Sequence, residues 1–139
     1  MKKIIIFMCV IAIMFSFCGC ESNYTHEVYE VEITAEEIYN HHVGNDWKKY
    51  YSCNGENIKS GDRCTIPRGK NETRKIDITI MEEDKWPDVE TDSITVSLED
   101  NFTTSATILV TENKGKYKGN SAQWKITCKV KLVDKIKEK

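Results

Sequence analysis

The sequence predicts an all-β fold: an antiparallel β-sandwich or small barrel that carries one short helix. Two observations point there. Apolar residues recur at every second position in several short segments, as in Ile76, Ile78 and Ile80 or Ile94, Val96 and Leu98. Between them lie clusters of turn-forming residues, namely Asn54-Gly55, Ser60-Gly61-Asp62, Pro67-Arg68-Gly69 and the long stretch Asn113–Asn120. The 139 residues suffice for one core and are too few for two comfortable ones.

The elements follow in order. Val28 to Thr34 alternates Tyr29, Val31 and Ile33 with Glu30 and Glu32, which predicts a strand with one wet face. Thr34-Ala35-Glu36-Glu37 reads as a capping box, with Thr34 as N-cap and Glu37 reaching back, so a short helix is expected to about Val43, ended by Gly44-Asn45. Trp47 to Cys53 is aromatic-rich and predicts a second strand, and Arg63 to Ile66 a short extended piece. Strands are then expected over Thr73–Met81, Ser93–Leu98 and Thr104–Thr111. The longest strand comes last, where Ala122, Trp124, Ile126, Cys128, Val130 and Leu132 alternate with Gln123, Lys125, Thr127, Lys129 and Lys131. Asn113–Asn120 forms the hairpin tip before it.

The first twenty residues are of another kind. Residues 4–17, IIIFMCVIAIMFSF, are continuously apolar after Met1-Lys2-Lys3. They are too short for the roughly 20 residues of a bilayer-spanning helix and match the apolar part of an export signal. Phe17-Cys18-Gly19-Cys20 then resembles the lipobox of bacterial lipoproteins, in which a small residue precedes a cysteine that is acylated and becomes the new N-terminus. Phe17 and Cys18 depart from the aliphatic and small residues usual there. The resemblance implies a signal peptide over 1–19, a lipidated tether over 20–27, a β domain over 28–139, and attachment to the lipid bilayer through Cys20 on the extracytoplasmic face. An ordinary secreted chain is the alternative, and Asn23-Tyr24-Thr25, Asn71-Glu72-Thr73 and Asn101-Phe102-Thr103 would be its glycosylation acceptors in a eukaryotic route.

Without Lys2 and Lys3, 18 basic residues face 22 acidic ones, a net charge near −4 that argues against a dedicated nucleic-acid binder. If Cys20 carries lipid, Cys53, Cys64 and Cys128 remain. Cys53 and Cys64 flank one small loop region, and a disulfide between them costs little chain entropy to close. Cys128 then faces the core. The alternative pairing, Cys64 with Cys128, resembles the inter-sheet bridge of immunoglobulin domains, although Ile126 stands where that family has a tyrosine.

Candidate chemistry is sparse. Asp88, Glu90, Asp92 and Glu99 overlay positions 1, 3, 5 and 12 of a calcium loop, with Ser93 where glycine belongs; a solvated acidic connection is the plainer reading, and no cofactor is expected. Glu37 and His41 would sit one turn apart on the predicted helix, a spacing that can present two metal ligands. The last strand carries Lys125, Lys129 and Lys131, a basic face for an anionic envelope polymer or phospholipid, or alternatively the protection of an edge strand. No nucleophile–base motif and no phosphate loop is present, so a non-catalytic module is expected. Lys114, Lys116, Tyr117 and Lys118 at the hairpin tip are its first contact candidates, toward an extracytoplasmic protein or an envelope polymer. Tyr51-Ser52-Cys53-Asn54-Gly55 resembles the start of small lipoproteins that inhibit lysozyme, which implies an inhibitor as one alternative. A purely structural envelope protein is another.

Overall fold

Strand pairing organises about two-thirds of the residues from 26 to 136. A computed structural model describes residues 23–137 and contains eight strands and no helix. They are β1 (His26–Asn40), β2 (Trp47–Cys53), β3 (Glu56–Ile58), β4 (Asp62–Pro67), β5 (Thr73–Glu82), β6 (Asp88–Ser97), β7 (Phe102–Thr111) and β8 (Ser121–Ile136). Two four-stranded antiparallel sheets pack face to face, one in the order β4-β1-β8-β7 and the other β3-β2-β5-β6. The architecture is therefore a sandwich, not a closed barrel. The export segment, Phe17, Cys18 and the proposed lipid attachment at Cys20 lie outside the described residues.

The alternating residues of both sheets meet in one core. Ile76, Ile78, Ile80, Ile94, Val96 and Leu98 from one sheet face Ile108, Val110, Trp124, Ile126, Cys128 and Val130 from the other, all withdrawn from water. Each of these large side chains contributes on the order of 1.5–3 kcal/mol by its burial. Trp47 closes one end of this layer, its ring edge-on to Trp124 at 5.2 Å between centroids.

Several expectations are corrected here. The helix expected from Thr34 does not form. β1 instead runs on to Asn40, pairing Thr34 with Thr127, Ala35 with Ile126 and Glu36 with Lys125 along β8. A helix there would leave the matching half of β8 without a partner on that side, a loss of ladder hydrogen bonds larger than a capping box can offset. The competing helical signal survives only as a register irregularity between Glu37 and Tyr39.

The acidic segment is also strand. Asp88, Glu90 and Asp92 lie on β6, which pairs with β5 from Glu82–Asp88 to Thr73–Ser97. An extended strand spaces alternate residues by roughly 6.6 Å and cannot wrap one cation, so these three carboxylates and Glu99 form no calcium loop. Strand geometry likewise removes the helical spacing of Glu37 and His41.

The lysines of β8 are not an edge device, because β8 lies between β1 and β7. Their stripe runs beside the glutamates of β1, and among the described residues Lys131 alone of the three forms a salt bridge. Lys125, Lys129 and Lys131 stand opposite Glu36, Glu32 and Glu30, and Lys131 Nζ lies 3.2 Å from Glu32 Oε1. Opposed stripes of charge fix the β1–β8 register instead.

Cys53, Cys64 and Cys128 are free thiols. The expected Cys53–Cys64 bridge is absent because the two residues do not flank one hairpin. Cys53 opposes Glu56 across the tight β2–β3 turn, where Asn54 and Gly55 both adopt positive φ. Cys64 lies in the other sheet, on β4, opposite Tyr29. Both still line one small apolar recess with Val31, Ile58 and Ile76. Cys64 and Cys128 share a sheet with β1 between them, which excludes an immunoglobulin-type inter-sheet bridge.

Residues within the expected tether already contact the domain. The Thr25 amide donates to Ile136 O at 2.8 Å, and the Tyr24 ring lies beneath both Arg68 and Lys135, 4.4 and 4.7 Å from its centroid.

Candidate functional site

β1 carries the chain from this N-terminal end to the opposite pole of the sandwich. Its 15 residues span roughly 45 Å, and Asn40 at its far end pairs with Ala122 at the start of β8. Two connections therefore meet at that pole: the bend over residues 41–46, leaving β1, and the hairpin tip over 113–120, entering β8.

The bend is built by Asn40. Its amide donates to Gly44 O at 2.6 Å while its carbonyl oxygen accepts from the Val43 amide at 3.0 Å. Val43 is thereby turned into the interior, and the Trp47 indole N–H donates to the same Gly44 carbonyl at 3.2 Å. Gly44 has φ of 141°, and a Cβ there would overlap the carboxyl group of Glu82. His42 adopts φ of 57°, a left-handed conformation that histidine tolerates better than most residues.

The tip is held by nested turns. Glu112 and Asn120 close it, with the Glu112 amide donating to Asn120 O and the Gly119 amide to Glu112 O, both at 2.9 Å. Gly115 and Gly119 supply the positive φ values. Tyr117 projects from this frame and stacks on His42, with 6.1 Å between centroids and 26° between planes.

Between bend and tip lies an open groove of about 440 Å³, lined by Glu37, Asn40, His42, Gly44, Asn45 and Tyr117. On another side of the tip is a second recess of about 170 Å³, formed by Lys85, Trp86, Pro87, Asp88, Asn113 and Lys114. Each recess has one exposed aromatic ring: Tyr117 is 46% and Trp86 47% accessible. Of the contact candidates, Tyr117 thus reaches the larger groove, Lys114 the smaller recess, and Lys116 sits with Nζ 5.3 Å from the Tyr117 ring centroid. Lys118 lies on the same tip.

Beneath this surface carboxylates gather. Glu82 and Asp88 are 3% and 2% accessible, and Glu82 Oε2 and Glu112 Oε2 have no hydrogen-bond partner. Asp88 Oδ1 accepts from the Asn113 amide at 2.8 Å and so ties the β5–β6 turn to the tip. Burial first, then neighbouring Asp84, Asp88 and Asp46, pushes the Glu82 carboxyl above the usual range, against a lowering by the Asp46 amide. Glu112 is raised likewise by burial, Asp88 and Asp84. Among the described residues no group of three His, Cys, Asp or Glu side chains is arranged to hold a metal ion.

Sequence reasoning found the tip and missed the rest of the pole. Asn40, His42, Asn45 and Trp86 carry no local motif; the Gly44-Asn45 pair was legible as a stop, but not as one wall of a groove. Tyr51 to Gly55 form the end of β2 and its turn into β3, apart from this groove.

No protein-family model matches the sequence, no curated protein is detectably similar to it, and no solved structure gives a significant match.

Proposed function

We propose that the chain is a non-catalytic binding module, anchored to the outer side of a membrane through a lipid on Cys20, that engages its partner with the pole built by residues 37–45 and 113–120. The observation that carries this reading is the position of the 440 Å³ groove, at the end of β1 opposite to the residue where the tether enters. A chain held at its N-terminal end presents that pole outward. The size of the groove falls within the range of small-ligand and oligomer sites, and its polar lining with one aromatic face suits recognition better than reaction.

Retention on isolated cell envelopes tests it. Full-length chain extracted in detergent is added to envelopes from its source and washed. Saturable retention that falls with Tyr117→Ala and His42→Gly supports the reading. Retention unaffected by both, or none at all, refutes it.

A further inference from the structure

We propose that Cys53 and Cys64 form a two-sulfur site for a soft monovalent cation of the copper(I) type, separate from the groove at the pole and independent of the binding reading above. The two cysteines belong to different sheets, Cys53 ending β2 and Cys64 lying on β4. Alternation along each strand turns both inward. Cys53 shares the face of Tyr51, and Cys64 that of Ile66; Ile66 belongs to the core, and Tyr51 and Cys64 pack against it. Both cysteines line one recess of about 90 Å³. They also act on each other through space: the Cys64 thiol is pushed up chiefly by burial, with Cys53 and Glu72 adding to the rise and Arg74 opposing it.

The spacing decides what the pair can hold. Facing sheets stand about 10 Å apart, which leaves two cysteine sulfurs that point at each other across the gap on the order of 4–5 Å apart. A disulfide needs about 2 Å between sulfurs and Cα atoms within roughly 7 Å, so it demands that the sheets close up. One ion held between two sulfurs needs about 2.3 Å to each, which the gap supplies as it stands. The volume agrees, since about 90 Å³ is far below the roughly 300 Å³ at which pockets for organic ligands begin.

The lining decides which ion. Zinc held by thiolates takes four ligands, and here the nearest further candidate, Asp62, is engaged by the Lys59 amide at 2.8 Å. Val31, Ile58 and Ile76 complete the wall with hydrocarbon and offer nothing to a hard cation. Two thiolates in an apolar recess suit a soft ion that is satisfied by two sulfurs. Each sulfur gives up its proton to solvent as its bond to the ion forms, and no electron moves. Among the described residues the hydrogen bonding lost is slight: Cys64 Sγ makes one long contact, to Tyr29 O at 3.7 Å, and Cys53 Sγ none.

Silver(I), which has the same preference and is not readily oxidised, is the probe. Full-length chain in detergent, with Cys9, Cys18 and Cys20 replaced by serine so that the thiols left are those of the domain, receives one equivalent of silver nitrate and then iodoacetamide. Peptide mass mapping follows each cysteine. Silver should slow alkylation of Cys53 and Cys64 together by roughly tenfold or more, because a metal-bound thiolate is no longer a free nucleophile. One equivalent of zinc should leave both rates unchanged. Cys53→Ser should strip the protection from Cys64 as well, whereas Cys128→Ser should leave it intact. Protection of neither cysteine or of one alone in the parent chain overturns the site without recourse to any variant. Equal protection by zinc overturns the soft-ion assignment, and protection of Cys64 that survives Cys53→Ser overturns the pairing.

Discussion

Glu82 and Asp88 face each other across the last rung of the β5–β6 ladder, and both are almost withdrawn from water. No cationic side chain pairs with either among the described residues. The sandwich therefore holds uncompensated acid under the pole formed by the bend and the hairpin tip, where Glu82 also packs against Gly44.

This arrangement sets a pH dependence. Burial raises the folded-state pKa of Glu82 above its unfolded value, so the native state binds that proton more tightly than the unfolded chain does. The stability this proton provides is fully present below about pH 4.3, the ordinary glutamate value, and is lost as pH rises through the raised folded value. Glu82→Gln should accordingly raise the thermal midpoint at pH 7 and leave it nearly unchanged at pH 4. A lower midpoint at pH 7 would contradict the assignment. Calorimetric scans at the two pH values provide the comparison.

Gly44 should resist substitution more than any other turn glycine compared with it. Gly44→Ala forces both a rare backbone conformation and an overlap with the Glu82 carboxyl group, for an expected loss of about 3 kcal/mol. Gly69 also has positive φ, but a Cβ there meets open space, so Gly69→Ala should cost about 1 kcal/mol. Urea unfolding of both variants measures the difference.

Thiol reactivity should sort the cysteines by depth. Cys128 is fully buried, and its pKa is pushed up to about 11, so it should escape alkylation at pH 8 until the protein unfolds. Cys53 and Cys64 are partly accessible and should react in the native state, Cys64 more slowly because burial raises its thiol above the usual value. Peptide mass mapping after timed iodoacetamide treatment reads this order; early labelling of Cys128 would show that the core is not packed as described.

The pole should be separable from stability. His42 holds a left-handed φ that glycine adopts without strain, so His42→Gly should leave stability unchanged or raise it by up to about 1 kcal/mol while removing the ring that stacks on Tyr117. Tyr117→Ala, at an exposed position, should stay within about 0.5 kcal/mol of the parent. Loss of retention in either variant at unchanged denaturation midpoint assigns the defect to binding.

How far the sequence could be read follows from how local each signal is. Ile76, Ile78 and Ile80 announce their strand because a sheet with one buried face imposes period two on nearest neighbours. Thr34 to Glu37 announce a helix by the same kind of local reading, and are overruled by a partner ninety residues away, since Thr127 and Lys125 on β8 need them as strand. The carboxylates of β6 hid their strand because Asp88, Glu90 and Asp92 occupy the face whose apolar residues, Ile94 and Val96, come only later. The groove was illegible for a related reason. His42 and Tyr117 are seventy-five residues apart, and only the pairing of Asn40 with Ala122 brings their loops together. Tyr117 could be singled out as a tip aromatic, while its companion could not.

Which pole faces outward depends on where the domain is held. The intact mass of the native protein, purified from membranes of its own source, tests that directly. A chain beginning at Cys20 with the added mass of acyl groups is the predicted result, and it places the far pole outward. A chain cut elsewhere without lipid, or one bearing sugar on Asn23, Asn71 or Asn101, would contradict the anchored reading.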